Sequence, residues 1–141
     1  LLDACGIPVP PEVQGRSILP LLRGEREGWP EEAFIQISEA QVGRAVVTRR
    51  WKYGVTAPEK SGGRDAGSDH YVEQYLYDLE ADPYELVNLV DFDTHREVAD
   101  VMRRRLLRRM VAAGETEPAI EPPAELRSVR RRGPFPEEVS A

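Results

Sequence analysis

The side chains best placed for chemistry surround one glycine-rich loop: Lys60, Arg64 and His70. They lie in or just after residues 58–68, PEKSGGRDAGS, which read as a flexible loop by composition. Loops carried on a rigid sheet often hold function, and His70 directly follows Asp69 at the loop's end. Two cations and an imidazole can offer charge to a ligand. The plainer alternative, which the residue types favour, is an ordinary solvated polar loop. His95 falls at a helix start and reads as structural or exposed. His, Asp and Glu never cluster at metal-ligand spacing, and no glycine motif of the phosphate-cradling kind is present.

The elements that must position the loop follow from periodicity. Residues 33–38 alternate Ala33, Ile35, Ile37 against Phe34, Gln36, Ser38, the period of a half-buried strand. Residues 44–48 make a second strand and 51–56 a third, with Trp51, Tyr53 and Val55 sharing one face as core residues. A fourth strand, around Val72–Leu79, returns after the loop. Short connections imply an antiparallel meander. Arg44 and Lys52 alternate with apolar positions and point either toward a partner domain or into solvent. After the strands, Val98, Val101, Met102, Leu106, Met110 and Ala113 recur at three- and four-residue steps, predicting an amphipathic helix over 94–114. The arginines at 103–109 would form its solvated face. The expected fold is α+β: a four-stranded antiparallel sheet packed against one long C-terminal helix, with an extended N-terminal segment and a Pro-rich C-terminal arm.

Two local devices are expected to fix these elements. Asp82 would cap a helical turn with Pro83 at its first position, and Leu86 and Leu89, three apart, would pin that turn to the core. Thr94 and Glu97 have the spacing of a capping box at the start of the long helix. Residues 1–30 read as a crossing segment: a helix end closed by Gly6, a proline-rich extended stretch, then an apolar anchor at Leu19, Leu21 and Leu22. That anchor suggests an exposed patch and self-association. Residues 31–114 form the subdomain, and 115–141, with its Arg130-Arg131-Arg132 cluster, an extended or disordered arm.

The chain has 141 residues, a formal net charge of −6 and 31% charged residues. An acidic balance gives no reason to expect nucleic acid as a partner. No apolar run approaches the ~18–20 residues that span a bilayer, so no membrane partner is expected. Cys5 is the one cysteine, so no intrachain disulfide forms. The chain opens at Leu1, inside what reads as a helix end, as expected of a piece of a longer protein.

Three stretches together resemble one family. Leu76-Tyr77-Asp78-Leu79, then Asp82-Pro83, Glu85-Leu86 and Asn88-Leu89, is similar to a signature near the C-terminus of type I sulfatases, formylglycine-dependent enzymes of the alkaline-phosphatase superfamily. Leu1–Pro8 with Gln14–Leu22, and Arg44–Tyr53, resemble two further segments of that family, in the family's order. The resemblance implies a C-terminal subdomain whose partner is a missing N-terminal catalytic domain. It implies a parent that hydrolyses sulfate esters with formylglycine and a divalent metal, calcium, in a bacterial cytoplasm or periplasm, and no cofactor in this piece. It also implies that Lys60, Arg64 or His70 touch a substrate's charged group, since some loops of that subdomain border the pocket. Cys5 does not fit the family's Cys/Ser-x-Pro-x-Arg nucleophile motif, because Pro8 stands one place late and Val9 replaces Arg. It reads instead as a buried or half-buried thiol, and no catalytic residue carries over. A phosphonate monoester hydrolase or phosphodiesterase of the same superfamily, or a free-standing interaction module, stays open at this point.

Overall fold

The computed structural model describes residues 1–128; Arg130, Arg131 and Arg132 lie outside them. The chain divides into two compact units, Leu1–Pro30 and Glu31 onward. In the first, a 3-10 turn at Asp3–Cys5 is closed by Gly6 in the left-handed conformation (φ 68°). A four-residue helix, α1, spans Leu19–Leu22. Arg16 Nη1 donates to the Gly28 carbonyl at 2.8 Å and stacks over Trp29. Cys5 is exposed, not buried, because the 3-10 turn that holds it buries none of its residues. Leu22 is exposed and Leu19 and Leu21 are half-buried.

The second unit is α+β: one sheet and one long helix. Strands β1 (Glu32–Ser38), β2 (Val42–Thr48), β3 (Trp51–Thr56) and β4 (His70–Asp78) form the antiparallel meander, in sequence order. Thr48 tightens the β2–β3 connection by accepting the Trp51 N–H at 2.9 Å. The sheet is five-stranded and mixed, not four-stranded and antiparallel: β5 (Ala119–Glu121) adds parallel to β4, pairing His70 with Ala119 and Val72 with Glu121. Three residues between Pro118 and Pro122 carry no readable period, and prolines are tolerated beside an edge strand.

Helix α2 (Arg96–Ala112) buries Ala99, Met102, Leu106 and Met110, the i, i+3, i+7, i+11 stripe that faces one side of a helix. That stripe meets Val42, Val46, Tyr53, Val55, Tyr71 and Leu76 from the sheet, with Phe34, Trp51, Leu89, Val98 and Ile120 at its margin. In β4 the alternation breaks. Tyr75 pairs with Gly54 but Glu73 pairs with Val55, leaving Gln74 as an extra residue. The bulge lets Tyr71 and Glu73, then Leu76 and Asp78, all face the helix. Tyr75 and Tyr77 turn to the other side, where the Tyr75 ring covers Gly54 so closely that a Cβ there would collide with it. Lys52 lies on that side too, 2.7 Å from Glu85 Oε2 and over both tyrosine rings.

The turn after β4 differs from the expected capped helical turn. Asp82 Oδ2 does accept an N–H, but from Val87 at 2.8 Å, and residues 83–87 are irregular, with Glu85 at φ 55°. Pro83 is exposed, and Leu86 is 79% exposed and anchors nothing; only Leu89 packs at the core margin. The anchor is Asn88 instead. Its Oδ1 accepts from Leu76 N at 3.0 Å and its Nδ2 donates to Gln74 O at 2.9 Å. Leu89 N adds a bond to Leu76 O at 2.8 Å. Asn88 and Leu89 thus continue, with one side chain and one amide, the pairing that β5 gives β4 higher up.

The capping box is not formed either. Thr94 falls inside a 3-10 turn, Asp93–His95, so it cannot occupy the N-cap, and its Oγ1 meets His95 Nδ1 at 3.0 Å. The helix starts at Arg96 without a side-chain cap. Exposed Glu97 still suits the positive end of the helix dipole.

Candidate functional site

The loop between β3 and β4 is folded on itself. Ser61 N donates to Asp65 Oδ2 at 2.9 Å, and the Arg64 and Asp65 amides return to Ser61 O at 2.9 and 2.8 Å. At its end Ser68 Oγ donates to His70 O (2.8 Å) and accepts from His70 N (3.1 Å), a closed polar turn leading into the strand. Gly62 lies against the Glu39 carbonyl of the β1–β2 turn, leaving no room for a Cβ.

Arg44 holds this loop from below. It points neither to solvent nor outward to a partner but is 3% exposed on the helix-facing side of β2, opposite Gln36. Its Nη2 donates to Ala66 O at 2.7 Å, its Nη1 to Gly43 O at 2.8 Å, and its Nε to Glu115 Oε1 at 2.8 Å. The charge and most of the donors of the guanidinium are thereby met, which a buried arginine requires.

Of the three loop candidates, Lys60 and Arg64 are exposed and His70 is half-exposed. Lys60 lines a shallow groove with Gly67, Ser68, Asp69, Glu115 and Thr116; Arg64 and His70 do not line it. His70 Nε2 lies 3.1 Å from Glu121 Oε1 across the β4–β5 pair. Lys60 and Arg64 have no side-chain ion-pair partner among the described residues, so their charge is available to an anion. No described His, Cys, Asp or Glu residues group in a way that would hold a metal ion. With Cys5 outside the nucleophile motif and no such cluster among the described residues, no step of hydrolysis is assigned to them.

Two charged clusters lie between helix and sheet. Glu73, with its side chain wholly buried, accepts from Tyr53 Oη (2.9 Å) and from Arg96 Nη1 (2.6 Å) and Nη2 (3.1 Å). Burial first, and then the charge and hydrogen bond of Glu73, push the Tyr53 phenol far above its ordinary range. That geometry makes the cluster a structural lock. Its signal in the sequence is faint: one acid at an inward strand position.

The second cluster is Glu32 with Arg105 Nη1 and Arg109 Nε, both at 2.8 Å. Burial pushes the Glu32 carboxyl up, but the hydrogen bonds and charges of the two arginines outweigh it and leave the group below its ordinary 4.5. A depressed folded value means that the contribution is complete above the unfolded value and disappears as pH falls through the folded one. Glu32→Gln is therefore expected to lower stability at pH 7 and to flatten the loss of stability below pH ~4.5. Urea titrations of both proteins from neutral to acid pH test this; parallel curves would show that Glu32 contributes nothing through ionisation.

The family model for N-sulphoglucosamine sulphohydrolase, C-terminal, matches residues 1–112. The chain belongs to this family. It is thus a sulfatase C-terminal region, and solved structures agree in fold. One is BT4656 in complex with its substrate D-glucosamine-2-N,6-O-disulfate, 21% identical, with a TM-score of 0.66. The match covers 83% of this chain and 23% of that one. A candidate sulfatase of Bacteroides thetaiotaomicron VPI-5482 is 25% identical at TM-score 0.63, covering 81% and 23%. The candidate sulfatase yidJ of Bacteroides fragilis is 18% identical at TM-score 0.59, again covering 81% and 23%. No curated protein matches the sequence. The chain therefore spans under a quarter of the solved sulfatase chains it resembles.

Proposed function

We propose that this chain is the C-terminal subdomain of a sulfatase whose catalytic domain lies in the rest of that enzyme. It packs on that domain and contributes the 58–69 loop with Lys60 and Arg64, and His70 at the start of β4, to one wall of the substrate pocket. Catalysis belongs to the catalytic domain, which would supply formylglycine and a divalent metal, calcium, and convert a sulfated substrate to free sulfate and its parent alcohol or amine. A sulfated aminosugar is the substrate class most in keeping with the family's description and with the ligand of BT4656. The observation that carries this reading is the family match over residues 1–112 of a chain whose likeness covers 23% of a solved sulfatase.

Lys60 and Arg64 support the loop's part in it, since each presents a charge that pairs with no other side chain among the described residues. In the full-length enzyme, Lys60→Ala combined with Arg64→Ala is expected to raise KM for a sulfated glucosamine about tenfold, equivalent to about 1.4 kcal/mol. kcat should change little, because the lost contact is made equally in ground and transition states. The isolated chain should release no sulfate. An unchanged KM in the double variant would remove the loop from the pocket. Sulfate release by the isolated chain that vanishes on Cys5→Ala would overturn the assignment of catalysis to the missing domain.

A further inference from the structure

We propose that Arg44 and Glu115 are positioning residues for substrate recognition, acting as a buried clamp that sets the 58–69 loop. This rests on the reading above, in which that loop faces the substrate. The clamp joins four pieces of the second unit. Arg44 stands on β2 and donates to Gly43 O and, at 3.3 Å, to Ile37 O, fixing its own hairpin. Its Nη2 reaches Ala66 O in the loop. Its Nε reaches Glu115 Oε1, which also accepts Gln36 Nε2 at 2.6 Å. The guanidinium lies 5.9 Å from the centroid of the Tyr71 ring, whose hydroxyl accepts the Ser68 N–H at 3.0 Å.

Both ends of the 66–68 stretch are therefore set by one cation, directly at Ala66 and through Tyr71 at Ser68. Gly67, between them, would bring a Cβ within 3.1 Å of Arg44 Nη2, so the loop backbone rests on the guanidinium itself. Glu115 is held in turn by the end of α2: Gly114 takes φ 89°, and Glu115 N donates to Met110 O at 3.0 Å. The residues just after the long helix thus fix a loop about fifty positions earlier in the chain, through a cation that contacts no other acidic side chain among the described residues. Lysine cannot replace Arg44, because one ammonium cannot span Glu115, Ala66 and the hairpin carbonyls in the directions the planar fork does.

The test uses the full-length enzyme with Glu115→Ala, Glu115→Gln and Arg44→Lys, and Arg108→Ala as a surface control. Two readouts are taken: hydrogen exchange of the 60–70 amides, and kcat and KM for a sulfated glucosamine. Glu115→Ala and Arg44→Lys are expected to speed loop exchange about tenfold or more and to raise KM about fivefold with kcat within about twofold. Glu115→Gln, which keeps a carbonyl acceptor, should fall between them and wild type. Should Arg44→Lys fail to fold, Gly62→Ala loosens the same loop from its other side, at the Glu39 carbonyl. Unchanged loop exchange in a folded Glu115→Ala enzyme overturns the clamp. Faster exchange with an unchanged KM overturns the positioning role, and where Lys60→Ala also leaves KM unchanged the substrate-facing loop falls with it. A KM that rises with Lys60→Ala but not with Glu115→Ala keeps the pocket and sinks the clamp.

Discussion

Arg96→Met is expected to destabilise the second unit by about 3–5 kcal/mol, because it strands the Glu73 carboxylate in the core. The Glu73 side chain has no exposure, and Arg96 supplies two of the three hydrogen bonds that compensate its burial. Arg103 stands near but is no substitute: its Nη1 is 3.8 Å from Glu73, and its Nη2 is bound to Asp100 at 2.8 Å. Removing one partner of such a pair costs far more than removing the pair. The triple change Tyr53→Phe, Glu73→Leu, Arg96→Met should therefore recover most of the loss, since a packed apolar set of similar volume is often neutral. Urea unfolding of wild type, single and triple variants measures both terms. If Arg96→Met costs under about 1 kcal/mol, Glu73 does not depend on Arg96 and the lock does not exist.

The second large effect separates two leucines. Leu106 is fully buried on α2, under the sheet, and Leu106→Ala should cost about 2–5 kcal/mol through lost burial and the cavity it leaves. Leu86, at 79% exposure on the turn after β4, has nothing to lose, and Leu86→Ala should stay within about 0.5 kcal/mol. Denaturant midpoints at constant slope decide the matter. Equal effects would mean that the turn docks where it is seen exposed, or that α2 does not cover the sheet.

That contrast also marks what a sequence can carry. Met102, Leu106 and Met110 are legible because helical spacing brings them to one stripe, and local pattern alone predicts their burial. Strands β1 to β3 are legible as strands from their period of two, but not which β1 face packs: Phe34 meets the core while Ala33 and Ile35 are exposed. Leu86 misleads because a three-residue spacing to Leu89 has meaning only inside a helix, and the segment is not helical. Thr94 and Glu97 fit a capping box in letters, but a 3-10 turn shifts the helix start past Thr94. Glu73, Arg44 and β5 share a different difficulty. A buried charge is sensible only beside its partner, and these partners lie 23 and 71 residues away in sequence. The β4 bulge adds to this by reversing strand parity at Gln74, so no uniform alternation places Glu73 and Leu76 on the same side. Near the candidate site, the loop itself is legible from composition, whereas Arg44, which bonds to Ala66 in that loop, is hidden within a strand.

The pairing of Asn88 and Leu89 with β4 makes the two rims of the sheet unequal. On the β4 side, β5 takes residues 70–72, and Asn88 and Leu89 take Gln74 and Leu76, so nearly the whole rim has hydrogen-bond partners. On the opposite side β1 is terminal in the strand order, with no strand beyond it among the described residues. An outward-facing amide that lacks a partner exchanges and frays first, and an unpaired strand rim is where a foreign strand can add. Thermal opening of this sheet therefore has a direction, starting at Glu32–Ser38 and reaching the β4 rim last. The rim nearest the proposed substrate loop is the one that stays closed while the far one breathes.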